Sequence, residues 1–323
     1  MAGSEREAAL LDHPRVHTRQ ASLPDPQPRR IVSLVPSLSE ALVALGLGPR
    51  LIGVTTYCVH PAGAFDALPK LGGTKDADID GIIALAPDLV IANHEENTAR
   101  IVRRLAEADL DVWVTYPRTV ADGVALLREI AALGATPESI ERWVVPAERA
   151  LEDARGARDG ARGPREDAHG ARDQAGGGAS AAATARPRVF CPIWRDPWMT
   201  IGRDTYIHDM LELCGGENVF ADAGRDAEAA AGRRYPRVTL EAVERAAPDV
   251  ILLPDEPYAF AESDRRELSA LDCPAARDGR IHLIDGTLVS WYGPRIAEAI
   301  RGLARILANP GGAGPGRGEE MSE

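Results

Sequence analysis

The apolar positions of this chain fall into short unbroken runs separated by stretches of helical spacing. The first run lies in RRIVSLVP (29–36), which is rich in β-branched residues and shows no alternation, as a strand buried on both faces would be. Ser37-Leu38-Ser39-Glu40 then reads as a capping box. Leu38, Ala41, Leu42 and Leu45 recur at helical spacing until Gly46 and Gly48 stop the helix. Further strands are predicted over 50–55 (RLIGVT), 88–92 (DLVIA) and 112–115, with a helix over 98–108. Val120, Val124, Leu127, Ile130 and Leu133 mark an amphipathic helix. Thr136-Pro137 supplies the N-cap and first position of another, whose apolar side runs through Ile140, Trp143, Val144, Ala147 and Leu151, with Pro146 predicting a kink or interruption.

The second half repeats the plan. RVFCPI (188–193) is a strand, DTYIHDMLELCGG (204–216) a helix stopped by glycine, and APDVILLPDE (247–256) and GRIHLIDG (279–286) are strands. Gly293-Pro294-Arg295-Ile296 opens a last helix with Ile296, Ile300, Leu303 and Ile306 facing inward. Alternating strands and helices indicate parallel sheets. An internal repeat supports two halves: IDGIIALAPDLVIAN (79–93) and LEAVERAAPDVILLP (240–254) are each a short helix, an Ala-Pro-Asp turn and an apolar strand. The expected fold class is α/β, with two lobes that each hold a central, mostly parallel sheet flanked by helices. Twin lobes of this kind offer a ligand cleft at the C-terminal ends of their strands.

Composition then sets the boundaries. Residues 1–29 are polar and proline-rich, residues 156–187 repeat Gly-Ala-Arg with almost no large apolar side chain, and residues 309–323 are rich in Gly and Pro. All three are expected to be disordered, since such tracts bury too little to offset the entropy of ordering. The N-terminal α/β lobe is then 30–135, a connecting helix 136–155 and the C-terminal lobe 188–308. Of 323 residues, 45% are hydrophobic, and 37 Lys and Arg against 49 Asp and Glu leave a net charge of −12, which disfavours nucleic acid and anionic membranes as partners. No stretch approaches the ~18 apolar residues of a membrane helix. The first thirty residues have no apolar signal-peptide core, so a cytoplasmic location is expected, or an extracytoplasmic one if the start is misassigned. Four cysteines, none in a C-x-x-C pair, make neither a disulfide scaffold nor a zinc ribbon.

The unusual side chains gather in loops that follow strands. Pro36 and Ser37 follow the first, Tyr57, Cys58 and His60 the second, and Asn93, His94 and Glu95 the DLVIA strand. Trp194, Trp198, Trp291 and Tyr292 occupy the loops of the second lobe. Aromatics are only 5% of the chain, and their concentration at loop tips suits a planar or bulky ligand. His60 and His94, with Cys58 and Glu95, offer donors for a metal, and an imidazole is an axial ligand for a corrin or haem metal. Ser37 stands at a helix N-terminus, open to an anionic ligand group or simply to capping. No G-x-S-x-G, P-loop or strand-to-helix G-x-G-x-x-G occurs, and no paired acid and base is specified, so an enzyme is not expected. Two other readings stay open: a cytosolic metal-dependent hydrolase built on Cys58, His60, His94 and Glu95, and an interaction protein whose linker recruits partners.

IVSLVPSLSEALVALGLGPRLIGVTTYCVHP, LPKLGGTKDADIDGIIALAPDLVIAN and CGGENVF together resemble the class III periplasmic solute-binding proteins, the helical backbone metal receptors, and most closely their cobalamin- and iron-siderophore-binding branch. The resemblance covers about Arg30 to Leu307 outside the insert. It implies two α/β lobes joined by a long backbone helix beginning at Pro137, no intrinsic cofactor, and cobalamin, another corrinoid or a ferric chelate such as a siderophore or haem held between the lobes by a monomer. It also implies that Tyr57 contacts the ligand, and that an ABC permease docks through one carboxylate per lobe, here Asp80 and Glu241. The branch carries tryptophans at Asn93 and near Thr74 and Leu288 that this chain lacks; Trp194, Trp198 and Trp291 are candidates to replace that surface. Cys214 stands where several members carry a disulfide cysteine, but the partner position is Ala304 here, a loss that fits a reducing compartment.

Overall fold

The computed structural model describes residue 10 and residues 12–161, 186–223, 232 and 234–308. The chain divides into two compact units. The first comprises Met1–Arg149 and Trp291–Ala297, the second Ala150–Ser290 and Glu298–Glu323. Most of the expected insert and all of the expected tail lie outside the described residues.

The first unit is built on a five-stranded parallel sheet in the order β1-β5-β4-β2-β3, formed by Val16–His17, Ile31–Ser33, Leu51–Val54, Leu89–Asn93 and Val112–Thr115 in chain order. Every residue of β2, β4 and β5 is buried, which explains why these runs do not alternate: the sheet is covered on both faces. Helices Ile79–Ala84, Ala99–Glu107 and Val120–Ala131 begin where Asp78, Thr98 and Thr119 accept a backbone N–H from their first turns. The last of these carries a capping box with Asp122.

The second unit holds a four-stranded parallel sheet in the order β11-β10-β6-β9, formed by Arg188–Phe190 (β6), Glu217–Asn218 (β9), Val250–Pro254 (β10) and Ile281–Ile284 (β11). A separate antiparallel pair joins β7 (Pro192–Trp194) to β8 (Met199–Thr200). RVFCPI is therefore two strands in two sheets, with Cys191 at the break. Helices Tyr206–Leu213 and Leu240–Ala246 are capped by Thr205 and Thr239. Arg280 donates to the carbonyls of Ile306 and Leu307 and so caps the end of Ile296–Ala308.

Three expectations need correction. The arm 1–29 is not wholly unstructured: Leu10 and Val16 join the first unit's core, and β1 extends its sheet by parallel pairing with β5. Polar anchors hold it there, because Arg15 pairs with Asp109 and Asp111 while His17 Nε2 lies 2.9 Å from Asp111. The Ser37–Glu40 capping box does not form. Helix Pro36–Ala44 starts two residues earlier on proline, its N-cap Val35 offers no side-chain cap, and Glu40 is engaged elsewhere. At Pro146 the expected interruption takes the form of a widened turn. Between Pro137–Ser139 and Val145–Ala161 the backbone opens into a π-helical turn over Ile140–Val144, with Val145 N–H donating five residues back to Ile140. A widened turn absorbs the N–H that Pro146 lacks and the bulk of its ring. This helix runs through residue 161, into the expected insert, and the division between units falls within it. Finally, Gly293–Arg295 precede the last helix, and Trp291–Ala297 packs with the first unit rather than the second.

Candidate functional site

The C-terminal ends of β2, β3, β4 and β5 share one edge of the first unit's sheet, and the loops leaving them form its candidate site. After β3 the chain turns sharply, with Thr56 N–H bonded to Gly72 and Cys58 N–H to Thr55. That turn throws Tyr57 outward, 61% exposed, beside exposed Val59 and His60. Tyr57 has a specific support. A Cβ on Gly73 would lie 3.1 Å from Tyr57 Cε2 and 2.3 Å from Asp76 Oδ1, so a larger residue there would press both side chains out of their present places. Cys58 turns the other way. It is 2% exposed, with Sγ 3.1 Å from Ser39 Oγ and 3.3 Å from Thr55 Oγ1. It serves the loop's interior and is not presented to a ligand.

Beyond β4, Asn93 is likewise buried and committed. Its Oδ1 accepts the N–H groups of Glu95 and Glu96, and its Nδ2 donates to Thr115 Oγ1. Asn97 closes the same turn by accepting Asn93 N–H and donating to Leu34 and Thr74. The expected ligand contact at Asn93 is thus a turn-building residue. This turn presents half-buried His94, whose ring centroid lies 4.3 Å from that of Tyr116. Tyr116, the first residue past β5, is 37% exposed, with the Arg118 guanidinium 5.7 Å from its ring centre. Sequence reasoning passed over Tyr116, although its place directly after an apolar strand matches that of the other loop residues.

The segment 291–297 completes the site from another part of the chain. Trp291 and Tyr292 are buried. The Trp291 ring meets His60 edge-on with centroids 5.9 Å apart, and Tyr292 OH donates to Glu96 Oε1 at 3.2 Å. Arg295 grips Glu40 with contacts of 2.8–3.1 Å, and its guanidinium lies 5.5 Å from the Trp291 ring centre. Pro36 is half-buried, while Ser37 is buried and its Oγ has no hydrogen-bond partner among the described residues.

In the second unit the loop aromatics form a ladder from solvent to core. Trp194 is 44% exposed and meets Tyr258 edge-on, Tyr258 packs against Phe260, and Phe260 stacks on Trp198 with planes 7° apart. Trp198 is 9% exposed and belongs to the unit's apolar core, so its expected ligand role is replaced by a packing one. Arg195 fixes this end of the ladder by covering Trp198 and pairing with Asp264 and Glu267.

Asp80 and Glu241 are exposed in the first turns of the two repeated helices. Hydrogen bonds from the Glu241 backbone N–H and the Thr239 side chain lower the Glu241 carboxyl below its ordinary pKa and keep it charged. Among the described residues, no group of three or more His, Cys, Asp or Glu side chains is placed to hold a metal ion, so Cys58, His60, His94 and Glu95 are not gathered into a metal centre. The four cysteines are free and buried, and burial pushes the Cys191 and Cys214 thiols up to about 12.

A sequence model described as periplasmic binding protein matches residues 31–285. The vitamin B12-binding protein of Pectobacterium atrosepticum is 28% identical over 226 residues, 70% of this chain and 71% of its own length. An uncharacterized ABC transporter substrate-binding lipoprotein of Bacillus subtilis, YvrC, is 27% identical over 286 residues, 87% of this chain and 80% of its own. Among solved structures, the periplasmic vitamin B12 binding protein of Vibrio cholerae superposes with a TM-score of 0.66 at 22% identity, covering 87% of this chain and 96% of that one. This last likeness shows the two-domain α/β fold. No helix among the described residues is long and apolar enough to cross a membrane. The expected cytoplasmic location finds no support in the family's description as periplasmic binding proteins, in the lipoprotein relative or in the periplasmic structural neighbour.

Proposed function

Because the chain belongs to the periplasmic binding protein family, we propose that it captures a corrinoid, cobalamin or a close relative, outside the cytoplasm and delivers it to an ABC permease. It is not an enzyme on this reading. The relatives named for vitamin B12 supply the cargo class. The observation that carries the reading is Tyr57, exposed at 61% on a glycine-supported turn at the sheet's C-terminal edge, where ligands of parallel α/β sheets bind. An exposed ring offers an apolar face that a ligand can cover, and the flat face of a corrin is a suitable cover. Val59 and Tyr116 extend the apolar rim, and Trp194 is the exposed ring of the second unit. Exposed His60 is the imidazole offered to the cargo's metal, whereas His94 stands with its ring against Tyr116. Asp80 and Glu241, exposed at equivalent places of the repeat, are the carboxylates offered to the permease.

The test is a titration of the full chain with aquacobalamin, dicyanocobinamide, haemin and a ferric siderophore, reading absorbance and melting temperature. A ligand that binds only the folded state raises the melting point. The corrinoids are expected to do so. A response confined to haemin or the siderophore moves the cargo to a ferric chelate, and a flat response to all four defeats the reading.

A further inference from the structure

Arg295 and Glu40 are far apart in sequence and both belong to the first unit, where Glu40 is 8% exposed. Their pairing is bidentate, with Arg295 Nε and Nη2 reaching Glu40 Oε1 at 3.1 and 2.8 Å and Nε reaching Oε2 at 2.9 Å. Neutralising a buried carboxylate explains the charge but not the geometry, since a lysine ammonium would serve that purpose. A planar guanidinium does two things at once. It forks the carboxylate in one direction and lies against the Trp291 indole, 5.5 Å from its centre. Trp291 in turn meets His60 at 5.9 Å, and His60 is the exposed imidazole of the loop after β3. The segment carrying Trp291 has a separate attachment, since Tyr292 OH bonds Glu96. The Glu40–Arg295 pair is thus not its only hold.

We infer that Glu40 and Arg295 are positioning residues of the ligand site, fixing the Trp291 indole and through it the His60 imidazole in the pose that meets the cargo. The use of that pose by a corrinoid rests on the function proposed above; the pose itself does not. Pre-setting two rings spares the ligand the entropy of ordering them.

The experiment compares the full-length chain with Arg295→Lys. The substitution keeps a positive charge beside Glu40 and removes the planar fork. Two readouts are followed: the Trp291 indole N–H and His60 imidazole resonances without ligand, assigned through Trp291→Phe and His60→Gln, and the affinity for aquacobalamin. Arg295→Lys is expected to shift both ring signals and to weaken aquacobalamin about tenfold. Where Arg295→Lys melts too low to titrate, the paired variant Glu40→Gln/Arg295→Met removes fork and charge together and is expected to move the same signals. Ring signals that stay in place in the variant overturn the inference. So does an unchanged affinity when the wild-type chain binds. A wild-type chain that takes up no corrinoid sinks the cargo reading instead, and the ring signals still decide the positioning.

Discussion

The two copies of the helix–turn–strand repeat agree in detail where the backbone needs partners and part company where the loops begin. In the first, Asp88 accepts the N–H groups of Arg29 and Arg30, and the Arg30 guanidinium returns to the carbonyls of Leu85 and Ala86. In the second, Asp249 accepts Arg188 N–H, and the Arg188 guanidinium returns to Ala246. Even the left-handed turn recurs, at Ala86 (φ 43°) and Ala247 (φ 44°). Past the strands the resemblance stops. The first unit turns Tyr57, Val59 and Tyr116 outward, whereas the second carries its ladder inward to Trp198 and leaves only Trp194 exposed among the large hydrophobics of its described residues. Unsatisfied backbone groups impose one solution on both copies. The loops carry no such obligation and are open to different uses.

The largest test of that contrast sets Trp198→Ala against Tyr57→Ala. Removing the buried indole is expected to cost about 3–5 kcal/mol in a denaturant melt. Removing the exposed ring should change stability by less than ~0.5 kcal/mol yet abolish most corrinoid affinity. A Trp198→Ala chain of full stability would show that the ladder is not core. Next in size, Gly73→Ala should displace Tyr57 and lower corrinoid affinity about tenfold, because the new methyl meets Tyr57 and Asp76 at 3.1 and 2.3 Å; an unaltered titration would show that Tyr57 does not depend on that support. Smaller again, Asp88→Ala and Asp249→Ala are each expected to cost about 1–2 kcal/mol, the value of a charged acceptor for backbone N–H groups. Asp88, which accepts two N–H groups where Asp249 accepts one, should lose the more, and a larger loss at Asp249 would break the equivalence of the two turns.

The smallest effect is a pH dependence carried by two histidines of the second unit. His208 and His282 are buried, and burial, the larger cause for each, lowers their pKa below the ordinary 6.5. The unfolded chain then binds more protons than the folded one just below pH 6.5. The stability these two histidines contribute is whole above that value and falls as pH drops toward their lower folded pKa values. Urea midpoints between pH 7.5 and 5 should show the decline, and His208→Asn should make it shallower. A midpoint that rises on acidification would contradict the sign.

Most of the framework could be read from the chain. Unbroken apolar runs marked the buried strands, the Ala-Pro-Asp repeat marked the two halves, and Thr136 marked a helix start, as Thr98, Thr119, Thr205 and Thr239 also do in the structure. These features are local, because strand burial, caps and turns depend on residues a few positions apart. What escaped was decided by distant partners. Glu40 looked like a cap because its partner lies 255 residues away. Leu10 and Val16 sat in an arm too polar to suggest a strand; the open edge of β5 gives Val16 its place, and the first unit's core takes Leu10. Cys58 and Tyr57 are neighbours in sequence with opposite fates, one bonded to Ser39 and Thr55 and the other lifted into solvent over Gly73. Periodicity and capping chemistry therefore determined the elements and their order. Which loop side chains face outward and which build the interior was left to tertiary packing, since a side chain's exposure is set by what the rest of the chain brings against it.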